Sequence, residues 1–205
     1  MFRLDDMQHD ALVEIFNQGV GLAAAAVSEI VNDEVAMSFP SIVFETRAEA
    51  ALSVGGATQR RICAITQRFT GSFGTTAMLM FPEEKSLELV RLMVGGECPA
   101  VELTELEQEA MSEIGNIVLN CCVGRLANAI GQELSGSLPQ YCTNSGMHIL
   151  DLLGGEPEDM VLTLKIDFSV ESHRIDGYLA LLLDGDALSS LAVLLDRYLS
   201  QHGEF

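Results

Sequence analysis

Positive charge is scarce in this chain: 11 Lys and Arg stand against 30 Asp and Glu in 205 residues, a formal charge of −19. That surplus argues strongly against nucleic acid or an anionic membrane as partner, since like charges repel, and it favours solubility. No run of 18 apolar residues occurs, so insertion into a membrane is not expected. The opening Met1-Phe2-Arg3-Leu4-Asp5-Asp6 lacks the basic flank and apolar stretch of a secretory signal, and cytoplasmic residence is the expectation. The five cysteines, Cys63, Cys98, Cys121, Cys122 and Cys142, form no Cys-x-x-Cys pair. Reduced, mostly buried thiols follow, with the vicinal Cys121-Cys122 pair read as packing. His9, His148, His173 and His202 are scattered, and their spacing suggests no metal site.

What the chain does have is a pattern that occurs twice. Asp10, Glu14 and Asn17 are followed after twenty-two residues by Pro40; Glu109, Glu113 and Asn116 are followed at the same interval by Pro139. Glu and Asn three apart share a helix face, because three steps of about 100° nearly complete a turn. The spacing predicts a first helix over about Asp6 to Val31. Leu12, Phe16, Ala23, Val27 and Ile30 form its core arc, and Asp10, Glu14 and Asn17 lie opposite. A second helix is predicted over about Leu103 to Ile130. Its core arc holds Met111, Ile114, Val118, Cys122, Leu126 and Ala129, and Asn120 joins Glu109, Glu113 and Asn116 on the wet side.

After each helix comes a short polar break, then the proline, then segments that read as strands: about 35–47, 60–69 and 73–81, and later about 159–170 and 175–183, with 134–144 weaker. Helices over Glu83 to Val94 and Ala187 to Leu199 close the halves. A short helix over Met147 to Leu153 has no predicted counterpart in the first half. Over 14–40 against 113–139 only Glu, Ile, Asn, a second Glu, Ser and Pro coincide, a weak identity on a well-kept skeleton. Internal duplication is the economical reading. Residues 1–205 then form a single domain of two pseudo-symmetric halves, about 1–102 and 103–205, sharing one sheet because neither half buries a large core alone.

The twofold pattern Asp/Ser-x3-Glu-x2-Asn-x22-Pro, with Glu14-Ile15-Phe16-Asn17 and Glu113-Ile114-Gly115-Asn116 at its centres, resembles the signature of the CheC, CheX and FliY family of chemotaxis phosphatases. The resemblance spans about residues 7–200, and two complete signatures point toward CheC. Two departures stand out: Glu109 opens the second signature, and Phe16 stands where the second has Gly115. The resemblance implies an α/β (α+β) CheC-like fold with a pseudo-two-fold axis and a central mixed or antiparallel sheet, two long signature helices lying on one face. It also implies hydrolysis of the aspartyl phosphate on a CheY-type response regulator, with the deamidase CheD allowed as a further partner.

Phosphoryl transfer needs mostly positioning and charge stabilisation. A CheY-type partner brings its own Mg²⁺, lysine and phosphorylated aspartate, so no cofactor of this chain's own is expected. A carboxamide both donates and accepts hydrogen bonds, so Asn17 and Asn116 would orient the attacking water while Glu14 and Glu113 dock the partner's lysine. Asp10, Glu109 and Asn120 would be further partner contacts, and Pro40 and Pro139 structural, at a strand's start or on a sheet edge. The alternatives are a non-catalytic adaptor, or a flagellar-switch-like module, that binds phosphorylated regulator or CheD.

Overall fold

Asp5 starts the first helix. Its side chain accepts from the Gln8 N–H at 2.8 Å while the Gln8 side chain accepts from the Asp5 N–H at 3.0 Å, satisfying two of the donors that a helix N-terminus leaves open. Helix α1 runs Asp6–Val31 and ends at Asn32, which turns the chain with a left-handed φ of 53°. The computed structural model describes residues 3–55, 60–71, 74–94, 105–154, 156, 159–170, 173–183 and 185–202. Strand β1 (Val35–Thr46), helix α2 (Arg47–Gly55), strands β2 (Arg61–Gly71) and β3 (Thr75–Pro82) and helix α3 (Glu83–Val94) follow. Helix α4 (Glu105–Ala129) then leads to β4 (Leu134–Gly136), β5 (Gln140–Ser145), α5 (Gly146–Asp151), β6 (Met160–Val170), β7 (His173–Leu183) and α6 (Gly185–His202).

Every strand pair in the seven-stranded sheet is antiparallel, in the order β1-β6-β7-β3-β2, with β4 and β5 both on the outer side of β2. Replacing β1 by β4/β5, β2 by β6 and β3 by β7 returns the same order read from the opposite edge. Strand parity sorts the side chains. Cys63, Ile65, Phe69, Leu79, Phe81, Leu162, Leu164 and Phe168 join α1, α3, α4 and α6 in the larger core. Ile62, Ala64, Met78, Met80, Val161 and Ala180 join α2 and α5 in a smaller one. A period of two along each strand makes this division. The two long helices lie on one face and pack against each other, so closely that a Cβ on Gly19 would stand 3.0 Å from the Cys122 Cα.

Three expectations need correction. The short helix of the second half does have a counterpart: α2 packs against α5 beneath the sheet. Its buried face is only Ala50, Ala51 and Val54, too small an apolar signal to mark a helix in the sequence. Ile30 is 58% exposed rather than in the core. The buried stripe follows every fourth residue through Ile15, Gly19, Ala23 and Val27 to Val31, and such a ridge drifts by about 40° per step around a helix of 3.6 residues per turn. That drift carries Ile30 out to solvent. The weak strand over 134–144 is divided into β4 and β5, with Pro139 directly before β5. Residues 103, 104 and 73, included in predicted elements, lie outside the described residues.

Phe16 and Gly115, at equivalent positions, set the two long helices differently on the sheet. Phe16 is wholly buried and fills the space beneath α1. A Cβ on Gly115 would meet Ile65 Cβ and Cγ2 at 2.5 Å, so α4 rests directly on β2. Gly115→Ala should therefore destabilise the protein by about 1–3 kcal/mol through overpacking. In an open helix the same change would stabilise by about 1 kcal/mol. Urea unfolding reads the sign, and a stabilised variant would mean that α4 does not press on Ile65.

Candidate functional site

Helix periodicity and the opposing core put Glu14, Asn17 and Asp10 on the exposed side of α1, and Glu109, Glu113 and Asn120 on the exposed side of α4, with Asn116 half-buried. The two signatures then differ in which of their groups is held. In the first, Gln18 Nε2 donates to Glu14 Oε1 at 2.7 Å, and Gln18 Oε1 in turn accepts from Nε of Arg125 on α4 at 2.7 Å, and from its Nη2. A cation from the neighbouring helix thus orients the Glu14 carboxylate through one intermediate amide. Among the described residues, Asn17 makes no side-chain hydrogen bond.

The second signature is organised the other way round. Asn116 Oδ1 accepts from Asn120 Nδ2 at 2.8 Å and, more distantly, from Gln67 Nε2 at 3.4 Å. Asn120 Nδ2 also reaches the Asn116 carbonyl at 2.7 Å and Gln67 Oε1 at 3.3 Å. Gln67, on β2 and only 3% exposed, completes its valences by donating to the Ser137 carbonyl at 2.7 Å. Glu113 makes no side-chain hydrogen bond among the described residues. Asn120, expected among the partner contacts, has its amide turned toward Asn116 and Gln67.

Both signature prolines sit where the sheet gains a residue. Between Ser38 and Ser41, β1 advances three residues while β6 advances two, from Asp167 to Lys165, and Pro40 lies within this step. Between Gly136 and Gln140 the chain advances four residues while β2 advances three, from Phe69 to Thr66, and Pro139 lies within that one. A proline has no N–H to give to a ladder, so it fits a bulge on an outer strand. At the second bulge Ser137 is tied to β2 on both sides. Its N–H donates to the Arg68 carbonyl at 2.8 Å, and its hydroxyl accepts from the Arg68 N–H at 3.1 Å. The bulge presents the Ser137 carbonyl to Gln67.

Beside the second signature a cleft of about 400 Å³ is lined by Glu105, Gln108, Glu109, Ser112, Glu113, Pro139 and Tyr141. It brings Glu109 and Glu113 together with Pro139; Asn116 and Asn120 lie outside its lining. The Tyr141 hydroxyl pairs with Thr143 Oγ1 at 2.7 Å, and burial pushes its pKa up to about 12. Burial likewise pushes the Cys63 thiol up to about 12, and raises Cys121, Cys122 and Cys142. These are protonated, free thiols. Among the described residues no group of three or more His, Cys, Asp or Glu is placed to hold a metal ion.

Gln67, Gln18 and Arg125 were not singled out from sequence, yet Gln67 and Arg125 each carried a signal. Gln67 interrupts the in-facing series Cys63, Ile65, Phe69, and Arg125 falls about 160° from Glu109, within the core arc of α4. A polar residue in an apolar series needs a partner when buried.

No family model matches the chain. CheY-P phosphatase CheC of Bacillus subtilis is 23% identical over 209 residues, covering 94% of this chain and 95% of that protein. Flagellar motor switch phosphatase FliY of the same organism is 22% identical over 174 residues, 82% of this chain; the match spans 43% of FliY, less than half its length. Among solved structures, Thermotoga maritima FliY superposes with a TM-score of 0.79 at 17% identity, covering 95% of this chain and 98% of that one. A chain of the CheX–CheY–BeF3–Mg²⁺ complex from Borrelia burgdorferi gives 0.52 at 16% identity, covering 82% and 97%. The FliM middle domain from H. pylori gives 0.68 at 12%, covering 93% and 99%. An antiparallel sheet with two long signature helices on one face is thus a CheC-like fold. In sequence and in fold the chain is similar to members of the CheC, CheX and FliY family of chemotaxis phosphatases.

The raised pKa values predict alkaline sensitivity. Burial holds Cys63 and Tyr141 in their neutral forms above their ordinary pKa values of 9.0 and 10.0. The unfolded chain releases these protons first, so the stability they contribute is complete below pH 9 and is lost as pH rises toward 12. Urea unfolding should give falling stability across that window, with a shallower fall in Cys63→Ala.

Proposed function

We propose that this chain accelerates hydrolysis of the aspartyl phosphate of a CheY-type response regulator, each signature supplying half of a site that the partner completes. The observation that carries this reading is the pairing, twice, of a carboxylate with a carboxamide on a solvent-facing helix surface, with no metal cluster among the described residues. The partner's Mg²⁺ supplies charge neutralisation on the phosphoryl oxygens. The work left to this chain is to hold a water in line with the phosphorus. Asn17 and Asn116 hold that water, and Glu14 and Glu113 pair with the partner's lysine and fix the register of docking. Water oxygen bonds to phosphorus, the bond from phosphorus to the aspartate oxygen breaks to restore the carboxylate, and both of the water's protons leave with the released inorganic phosphate. The CheY-P phosphatase name of the CheC relative and the CheX–CheY complex among the fold neighbours support the same reading.

The fold likeness to FliM favours a second reading, a module that binds the phosphorylated regulator without hydrolysing it. A CheD-type deamidase is a further candidate partner, and cytoplasmic residence is part of the proposal. Phosphate release from acetyl-phosphate-loaded CheY separates the readings. Asn17→Ala with Asn116→Ala should lower kcat by about 100-fold, the scale of losing a positioned reactant, with binding retained. Glu14→Ala with Glu113→Ala should weaken binding by about 30-fold or more, as expected for truncating one partner of a desolvated charge pair. A double Asn variant as active as wild type would overturn the water-positioning role, and wild type that binds without accelerating hydrolysis would make the adaptor reading correct.

A further inference from the structure

We propose that Gln67 is a positioning residue for Asn116: from its buried place on β2, and together with Asn120, it fixes the carboxamide of the second signature and has no equivalent at the first. The inference rests on the phosphatase reading for its kinetic consequence, though not for the ordering itself. Both Gln67 Nε2 hydrogens have acceptors, Asn116 Oδ1 at 3.4 Å and the Ser137 carbonyl at 2.7 Å, and Gln67 Oε1 accepts from Asn120 at 3.3 Å. Asn120 supplies the shorter bond to Asn116 Oδ1, at 2.8 Å. With Oδ1 taken up by two donors, Nδ2 is the group that Asn116 offers to a bound water.

Three neighbouring features leave room for this network and aim it. Gly115 lets α4 down onto Ile65, two residues along β2 from Gln67. Gly136 leaves the space above it: a Cβ there would stand 2.7 Å from Gln67 Nε2 and 3.2 Å from Asn120 Oδ1. The bulge containing Pro139 presents the Ser137 carbonyl. Ninety-nine residues on from Gln67 is Ile166, wholly buried, and ninety-nine before Asn120 is Gly21. The first signature therefore lacks both amides, and Phe16 replaces the close approach. A buried amide that served only packing could become an apolar residue of similar shape at little cost, as Ile166 illustrates.

The test uses the full chain and acetyl-phosphate-loaded CheY, with each signature isolated by removing the other's asparagine. In the Asn17→Ala background, Gln67→Leu should lower kcat by about threefold to tenfold, the cost of ordering one side chain that was ordered before, with KM unchanged. In the Asn116→Ala background that drop should vanish, because the group being positioned is gone. An equal drop in both backgrounds, or none in the first, overturns the proposal. Side-chain amide ¹⁵N relaxation of the free protein is independent of activity. Asn116 should be ordered and Asn17 mobile in wild type, with Asn116 as mobile as Asn17 in Gln67→Leu. Asn116 remaining ordered in the variant, or mobile in wild type, equally overturns it. If Gln67→Leu does not fold, Asn120→Ala, at an exposed position, removes the shorter bond and should give the same two results. Wild type that never accelerates hydrolysis would refute the phosphatase reading alone, and the relaxation data would still decide the positioning.

Discussion

Helix α4 lies on strand β2 with nothing between them at Gly115, where even a methyl carbon would overlap Ile65 at 2.5 Å. The rest of the second signature is built around this contact. A helix held that close brings its next residue, Asn116, and Asn120 one turn on, within reach of a strand side chain. It also makes a polar residue admissible at Gln67, because helix amides are there to satisfy it. In the first half α1 stands on Phe16, and the strand position equivalent to Gln67 holds the buried Ile166, as a purely apolar layer requires. Gly115 against Phe16, together with Gln67 against Ile166 and Asn120 against Gly21, thus separates a hydrogen-bonded layer from an oily one.

Charge acts at a second level. With a formal charge of −19, the molecule repels any acidic partner at long range. Productive contact has to come from a few carboxylates aimed at a cation once the surfaces are close, where water is excluded and attraction strengthens. Glu14 is held in one orientation by Gln18, itself gripped by Arg125. This is a use of one of only 11 basic residues. Glu113 sits instead on the wall of an acidic cleft with Glu105 and Glu109, without a tether among the described residues.

Much of the fold was legible because its signals are long. The 26 residues of α1 and 25 of α4 give several turns over which an apolar face declares itself, and their predicted bounds lie within two residues of those observed. The hairpins read out through β-branched and aromatic runs. Helix α2 did not, since nine residues with an alanine face carry almost no hydrophobic contrast. The bulges were also hidden. Pro40 and Pro139 marked the place, but a register slip is a relation between two strands, and the partner strands lie far along the chain. For the site, Glu and Asn could be placed by helix geometry alone. What holds them could not, because Gln67 and Arg125 reach the signatures only through tertiary packing.

The same distinction explains why the two signatures hold different groups. Each exposed side chain loses rotamer freedom when it meets a partner, at a cost of about 0.5–1.5 kcal/mol for a flexible one. A network within the free protein can bear that cost in advance, but only where core polar groups are available to support it. Under α4 the close approach permits Gln67, and the carboxamide is the group ordered. Between α1 and α4 the helix interface permits Arg125, and the carboxylate of the first signature is the group ordered. Neither location offers both supports, since Gln67 lies beneath the sheet-facing side of α4 and Arg125 lies along its seam with α1. A surface motif repeated over a non-identical core is therefore held differently at its two copies, and the core residues determine which side chain each copy orders.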